Sequence, residues 1–266
     1  MTPLTKIDEI YFKREDQNPT GSAKDRALPL QVQNLINNDF KSAVISSTGN
    51  AAISASFYCQ QASIPLTVFV SPNINPKKLS LIKGHIIESL KPISDAIKFS
   101  KANQSYLLRQ STDITAQTGY GQITTEILAQ LPQITSIFIP VGSGTTLLGI
   151  SKIMPDSVKI FAAQPASNPT ICSSFDPQYT LETETITDAL SVKYLPLKKE
   201  IIQAIKKHQG IGIIVKNTQA INCLEFMKQF RASPESALTL ASFYEARKSF
   251  EVGEYPVILL TGTARL

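Results

Sequence analysis

Short apolar runs alternate with longer stretches of mixed character along most of this chain. The runs at 43–46, 66–70, 85–88, 106–108, 136–140, 158–162 and 256–260 read as strands. Between them, 51–61, 77–83, 94–102 and 122–131 have the length and composition of helices. Several strand runs are close to continuously apolar, as in Leu66-Thr67-Val68-Phe69-Val70, which suits strands covered on both faces. Strand and helix in alternation predict βαβ units, and so an α/β fold with parallel sheets flanked by helices. Residues 164–200 break the pattern with scattered Pro, Ser and Thr and read as the most irregular segment. No repeat of solenoid-like period is present.

Composition narrows the class only a little. The 266 residues suffice for one large domain or two modest ones, and 42% hydrophobic against 18% charged residues is the balance of a folded globular chain. The net charge of +5 is spread over lysine pairs such as Lys77-Lys78 and Lys206-Lys207 rather than gathered in a stripe, so no nucleic-acid partner is expected. No apolar run approaches the roughly 18 residues that a membrane span requires, and no membrane association is expected. The opening Met-Thr-Pro-Leu-Thr-Lys lacks an apolar leader core, which makes the cytoplasm the expected location. Cys59, Cys172 and Cys223 are odd in number and far apart, which argues against a disulfide framework. His85 and His208 stand alone, so no metal site is expected.

Three loops carry candidate chemistry. In Asn18-Pro-Thr-Gly-Ser-Ala-Lys24-Asp-Arg26, Pro and Gly mark a turn and Ser22 is placed to cap a helix whose first turn holds Lys24. A lysine acts as a nucleophile when desolvation or neighbouring cations lower its pKa; a Lys-Asp-Arg trio is also at home on a solvated surface. Ser47-Thr48-Gly49-Asn50 follows the strand at 43–46 and opens a helix, where hydroxyls and free N–H groups suit a carboxylate or simply form a cap. Gly142-Ser143-Gly144-Thr145-Thr146 follows the strand at 136–140; glycines there let backbone N–H groups approach a phosphate, although most such turns are only turns. Neither G-x-x-x-x-G-K-[ST] nor G-x-G-x-x-G occurs.

Taken together and in this order, the three loops resemble those of fold type II pyridoxal-phosphate (PLP) enzymes, the tryptophan synthase beta-like group, and most closely the threonine synthases. Thr2-Pro-Leu4, Ser233-Pro-Glu-Ser-Ala237 and Leu260-Thr-Gly262 add weaker likenesses, so the resemblance spans nearly the whole chain. It implies that Lys24 carries the cofactor and moves substrate protons, and that Asn50 meets the cofactor 3-hydroxyl. It further implies that Ser47, Thr48 and Gly49 bind the substrate carboxylate, that Gly142 to Thr146 hold the cofactor phosphate, and that Thr261 lies at the pyridine nitrogen. A smaller mobile domain at 36–118, a larger PLP-binding domain from 1–35 and 119–266, a homodimer and a small amino-acid substrate follow from the same likeness.

The chain also departs from the pattern. It is short for the family, and Ala23 replaces the usual aromatic before the lysine. Ala51 stands where threonine synthases commonly carry a hydroxyl. The stretch from Ser111 to Tyr120 should supply Asn, Ser and Arg for a substrate phosphate but offers Thr112, Asp113 and Thr118, with Arg109 as a substitute if a gap is allowed. The glycine loop drifts towards that of desulfhydrases and deaminases. The leading expectation is therefore elimination or replacement on a small amino acid, threonine synthase (O-phosphohomoserine to threonine) being the best single name. Serine/threonine dehydratase or a related ammonia-lyase is the alternative, and a non-catalytic PLP-fold relative the third.

Overall fold

The computed structural model describes residues 1–190, 192 and 195–265. In chain order the strands are β1 (Leu4–Ile7), β2 (Ile10–Arg14), β3 (Ala43–Ser46), β4 (Leu66–Val70), β5 (His85–Glu88), β6 (Tyr106–Leu107), β7 (Ser136–Pro140), β8 (Lys159–Pro165), β9 (Gly212–Val215) and β10 (Pro256–Leu260). The α-helices are α1 (Leu28–Asn37), α2 (Asn50–Gln61), α3 (Pro76–Leu81), α4 (Pro92–Ala102), α5 (Ile114–Gln130), α6 (Thr145–Ser151), α7 (Lys198–Lys207), α8 (Asn217–Lys228) and α9 (Pro234–Ala246). No described helix is long and apolar enough to cross a membrane.

The chain forms two units. The first comprises 1–18 and 120–264 and is built on a six-stranded sheet in the order β1-β2-β10-β7-β8-β9. Among the described strands of this sheet the β1–β2 hairpin pairs antiparallel and the remaining pairs are parallel. Every residue of β7 and β10 is buried, as expected of parallel strands covered on both faces. Phe138 on β7 stacks on Phe161 of β8 at 4.6 Å and meets Phe243 of α9 edge-on at 5.4 Å, which fixes α9 against the middle of the sheet.

The second unit comprises 19–119 with Arg265, and its four-stranded sheet, β5-β4-β3-β6, is wholly parallel. Its N-terminal limit falls at Asn18/Pro19, whereas the sequence reading placed the smaller domain at 36–118. The reason lies in hydrogen bonds that bind the segment before residue 36 to this unit. The Ser54 hydroxyl on α2 donates to Asp25 Oδ1 at 2.6 Å, Asn34 Nδ2 to the Tyr106 hydroxyl at 2.8 Å, and Gln31 Nε2 to Asp113 Oδ2 at 2.8 Å.

The segment at 164–200 is as irregular as its composition suggests. β8 ends at Pro165 and α7 begins only at Lys198, with a short 3-10 turn at Cys172–Ser174 between them; 191, 193 and 194 lie outside the described residues.

Candidate functional site

In the second unit the lysine loop is a cross-braced turn. Ser22 is extended (φ −159°, ψ 160°) and its hydroxyl accepts the Lys24 N–H at 3.4 Å, which starts a 3-10 turn over Ala23–Arg26 rather than the first turn of an α-helix. Asp25 organises the loop. Its Oδ2 accepts the Thr20 N–H at 2.6 Å, and its Oδ1 accepts the hydroxyls of Thr20 at 2.5 Å and Ser54 at 2.6 Å. Asp25 and Arg26 are buried and Lys24 half-buried, so the trio is not a solvated surface run. Charged groups out of water must be paired, and here the pairing shapes the backbone that presents Lys24.

The loop between β3 and α2 is built differently. Gly49 occupies the N-cap position and makes no side-chain cap; the Ser47 hydroxyl instead accepts the Gly49 N–H at 3.2 Å. Ser47, Gly49 and Asn50 are half-buried and Thr48 is exposed. A Cβ added to Gly49 would meet nothing within 4 Å among the described residues, so the backbone here faces open space. Two hydroxyls beside the start of a twelve-residue helix suit a small anion such as a carboxylate.

Asn50 has a partner that sequence reasoning missed. Its Oδ1 accepts from Arg265 Nε at 2.9 Å, and the other end of the same guanidinium donates to the Thr20 carbonyl oxygen. One side chain thus ties the lysine loop to the Asn50 loop. Nothing local signals it, because 215 residues separate Arg265 from Asn50.

Arg109 follows β6 and is half-buried. Its N–H donates to the Leu107 carbonyl at 2.9 Å, and its own carbonyl accepts the Thr112 N–H at 3.1 Å. Four residues on, Asp113 Oδ1 accepts the Thr115 N–H at 2.9 Å and hydroxyl at 2.6 Å, while Oδ2 accepts from Gln31 and from the Tyr106 hydroxyl at 2.7 Å. Burial opposes ionisation, but the bonds from Thr115, Gln31 and Tyr106 outweigh it and hold the carboxyl below its ordinary value.

In the first unit the glycine turn follows β7. Gly144 is left-handed (φ 77°), Thr145 opens α6, and the Ser143 and Thr145 hydroxyls lie 3.1 Å apart. A Cβ on Gly144 would lie 2.1 Å from Ile201 Cδ1 on α7, and one on Gly142 would lie 3.0 Å from the Ala189 carbonyl oxygen. Only glycine combines that φ with that closeness. Thr145 is buried; Gly142, Ser143 and Thr146 are half-buried. β10 lies beside β7 and runs parallel to it, so Thr261, half-buried just past β10, stands at the same carboxyl edge of the sheet as Val141 and Gly142. That edge is where open α/β sheets gather ligands.

The cysteines and histidines offer no competing chemistry. Burial pushes the Cys59 thiol up to about 12 and that of Cys223 to about 11, and raises that of Cys172 as well. His208 is buried, with Nδ1 3.2 Å from the Val158 carbonyl oxygen and Nε2 3.1 Å from that of Ser151, while His85 is exposed on β5.

A parallel α/β fold carrying a braced lysine turn, an anion-suited helix start and a left-handed glycine turn is the arrangement of fold type II PLP enzymes. The chain belongs to the family described as pyridoxal-phosphate dependent enzyme, whose model matches residues 1–262. It is 25% identical to the L-threonine ammonia-lyase of Geobacter sulfurreducens over 198 residues, covering 69% of this chain and 49% of that protein. It is 28% identical to human serine racemase over 173 residues, covering 59% of this chain and 51% of that protein. The chain thus spans about half the length of the curated relatives it matches. Among solved structures, maize serine racemase superposes with a TM-score of 0.87 at 20% identity, over 98% of this chain and 88% of that one. A PLP-dependent aspartate racemase gives 0.85 at 20% identity, over 96% and 83%. These likenesses confirm the fold.

Proposed function

We propose that this protein is a PLP-dependent ammonia-lyase that dehydrates and deaminates a small hydroxy amino acid such as serine or threonine. Two sets of facts favour this over threonine synthase. Curated relatives include threonine ammonia-lyases and serine racemases. The observation that carries the substrate class is Asp113. Both its carboxylate oxygens are taken by Thr115, Gln31 and Tyr106, so the stretch that would have to bind the phosphate dianion of O-phosphohomoserine presents a carboxylate committed to its own loop in place of a donor. Phosphate binding needs charge-assisted donors, which Arg supplies bidentately and a carboxylate opposes.

The residues fit the cofactor. The Gly142–Thr146 turn offers backbone N–H groups and hydroxyls around a left-handed glycine, which suits its phosphate. Lys24 stands on a braced turn and supplies the amine for covalent attachment. When bound, the cofactor supplies an electron sink for the substrate carbon next to the nitrogen. The rest is the work of the chain. Ser47, Thr48 and the Gly49 backbone hold the substrate carboxylate. Lys24 takes the proton from Cα and passes it to the departing Cβ hydroxyl, which leaves as water. The unsaturated product tautomerises to the imine, to which a water then adds; its hydrolysis gives ammonia and a keto acid, so the water lost is regained. The Thr261 hydroxyl is neutral; set against the pyridine nitrogen it would leave that nitrogen unprotonated, which would moderate the sink and favour elimination over transamination.

Borohydride reduction of the holoenzyme followed by peptide mapping places the pyridoxyl group on Lys24; label on another lysine overturns the assignment. Assays with serine and threonine release ammonia and keto acid. Brisk phosphate release from O-phosphohomoserine, with or without Arg109→Ala, restores the threonine synthase reading. Absence of a visible cofactor band points to a non-catalytic relative.

A further inference from the structure

We propose that Arg265 is a positioning residue that fixes which face of the Asn50 amide is offered to the cofactor. The proposal rests on the reading of Asn50 as the partner of the cofactor 3-hydroxyl. Arg is a donor only, so the amide atom at 2.9 Å from its Nε has to be Oδ1. With Oδ1 engaged, Nδ2 is left as the donor for any other neighbour. An unrestrained amide can turn over and present an acceptor instead, and two facing acceptors repel. The guanidinium makes this choice one-sided because it stays charged across the working pH range. Its second bond, to the Thr20 carbonyl oxygen, anchors it on the loop that carries Lys24. Arg265 thus links the position of the lysine to the orientation of the amide. Such supporting partners govern binding by fixing a ligand's tautomer or orientation without touching what is bound.

The test titrates PLP into apoprotein and reads the visible band and its dissociation constant for wild type, Arg265→Ala, Arg265→Lys, Asn50→Ala and the Asn50→Ala/Arg265→Ala double variant. Arg265→Ala weakens PLP binding by about tenfold and shifts the band, the scale expected for a hydrogen bond to a charged group. Arg265→Lys, still a charged donor to Oδ1, recovers most of the affinity. In the Asn50→Ala background the loss of Arg265 changes the band no further. Thermal unfolding of each apoprotein separates this from a folding defect, and Arg265→Lys carries the test if the Ala variant does not fold. An Arg265→Ala variant that leaves affinity and band unchanged, while Asn50→Ala alters both, overturns the proposal alone. So does an effect equally large with and without Asn50. If Asn50→Ala is itself silent, the reading of Asn50 falls and the proposal falls with it.

Discussion

The glycine turn of the first unit and the loops of the second are held by different forces. The turn at Gly142–Thr146 is shaped by close packing: Gly144 is left-handed and a single added carbon would strike Ile201. The loops around Lys24 and Asp113 are shaped by carboxylates, each collecting side-chain and backbone donors, and the loop at Gly49 faces empty space. A glycine in the one place is required by the fold. In the other the space around the added carbon is open, and the glycine serves as the N-cap of α2. The difference separates a turn fixed by its own packing from a helix start that leaves room beside its backbone.

The sharpest way to break this comparison is to add one carbon to each glycine. Gly144→Ala carries the left-handed penalty and the clash with Ile201, together about 2–4 kcal/mol of stability. Gly49→Ala meets no clash and loses only the N-cap preference for glycine, about 0.5–1 kcal/mol. Urea unfolding of the two variants measures both, and equal losses would erase the distinction. Gly144→Asp does its damage through packing as well, because the Cβ direction leads to α7. The Ala variant, which adds bulk without charge, therefore reproduces most of its effect.

The second difference concerns ligands. Gly49→Val projects two methyl groups into the open space beside the helix start. It raises KM for the amino acid by roughly tenfold, on the scale of a few methylenes in a pocket. The PLP dissociation constant stays as in wild type. Steady-state kinetics beside a PLP titration decide it: an unchanged KM places the substrate carboxylate elsewhere.

The same contrast explains what could be read from the sequence. β7 and β10 were legible to the residue because both faces are covered and every position but Ser136 is apolar. The β1–β2 hairpin was missed because its burial is uneven along a few residues. α9 was missed because it is buried nearly all round and carries hydroxyls that mimic a loop; Thr239 returns its hydroxyl to the Glu235 carbonyl at 2.7 Å and Ser242 to that of Thr239 at 2.7 Å. α5 begins eight residues earlier than its apolar pattern indicated, because Asp113 caps it. In the candidate site, the motif residues were visible as local strings. Arg265 and the bracing roles of Asp25 and Ser54 were not, since they depend on contacts between distant segments.

Thr261 offers a chemical version of the test. Thr261→Asp replaces a neutral hydroxyl with a carboxylate that favours a protonated pyridine nitrogen. Transamination by-products then rise several-fold relative to keto acid from elimination, about 1 kcal/mol in partitioning. Product analysis by chromatography reads the ratio, and an unchanged ratio removes Thr261 from the ring nitrogen.

The smallest effect sharpens the comparison most directly, because it asks whether the second unit's loops depend on charge. Asp113 lies below the ordinary carboxyl value near 3.9 through bonds from Thr115, Gln31 and Tyr106 that outweigh its burial. A group with a depressed folded pKa contributes stability above its unfolded pKa and loses it as pH falls through the folded one. Tyr106, pushed up to about 12 by burial and then by its bond to Asp113, stays a protonated donor throughout this range. The carboxylate alone therefore titrates in the group. Asp113→Asn keeps the shape but sets an NH2 against donors, and costs about 1 kcal/mol at neutral pH after allowance for its partial exposure. That gap from wild type narrows as pH drops below about 4, where the wild-type carboxylate takes up its proton. Denaturant unfolding from pH 7 to pH 3 measures it. A gap that stays constant or widens on acidification would show that packing, and not the charge on Asp113, holds the loop before α5. Gly144→Ala, measured beside it, keeps a pH-independent deficit because no titratable side chain belongs to its turn.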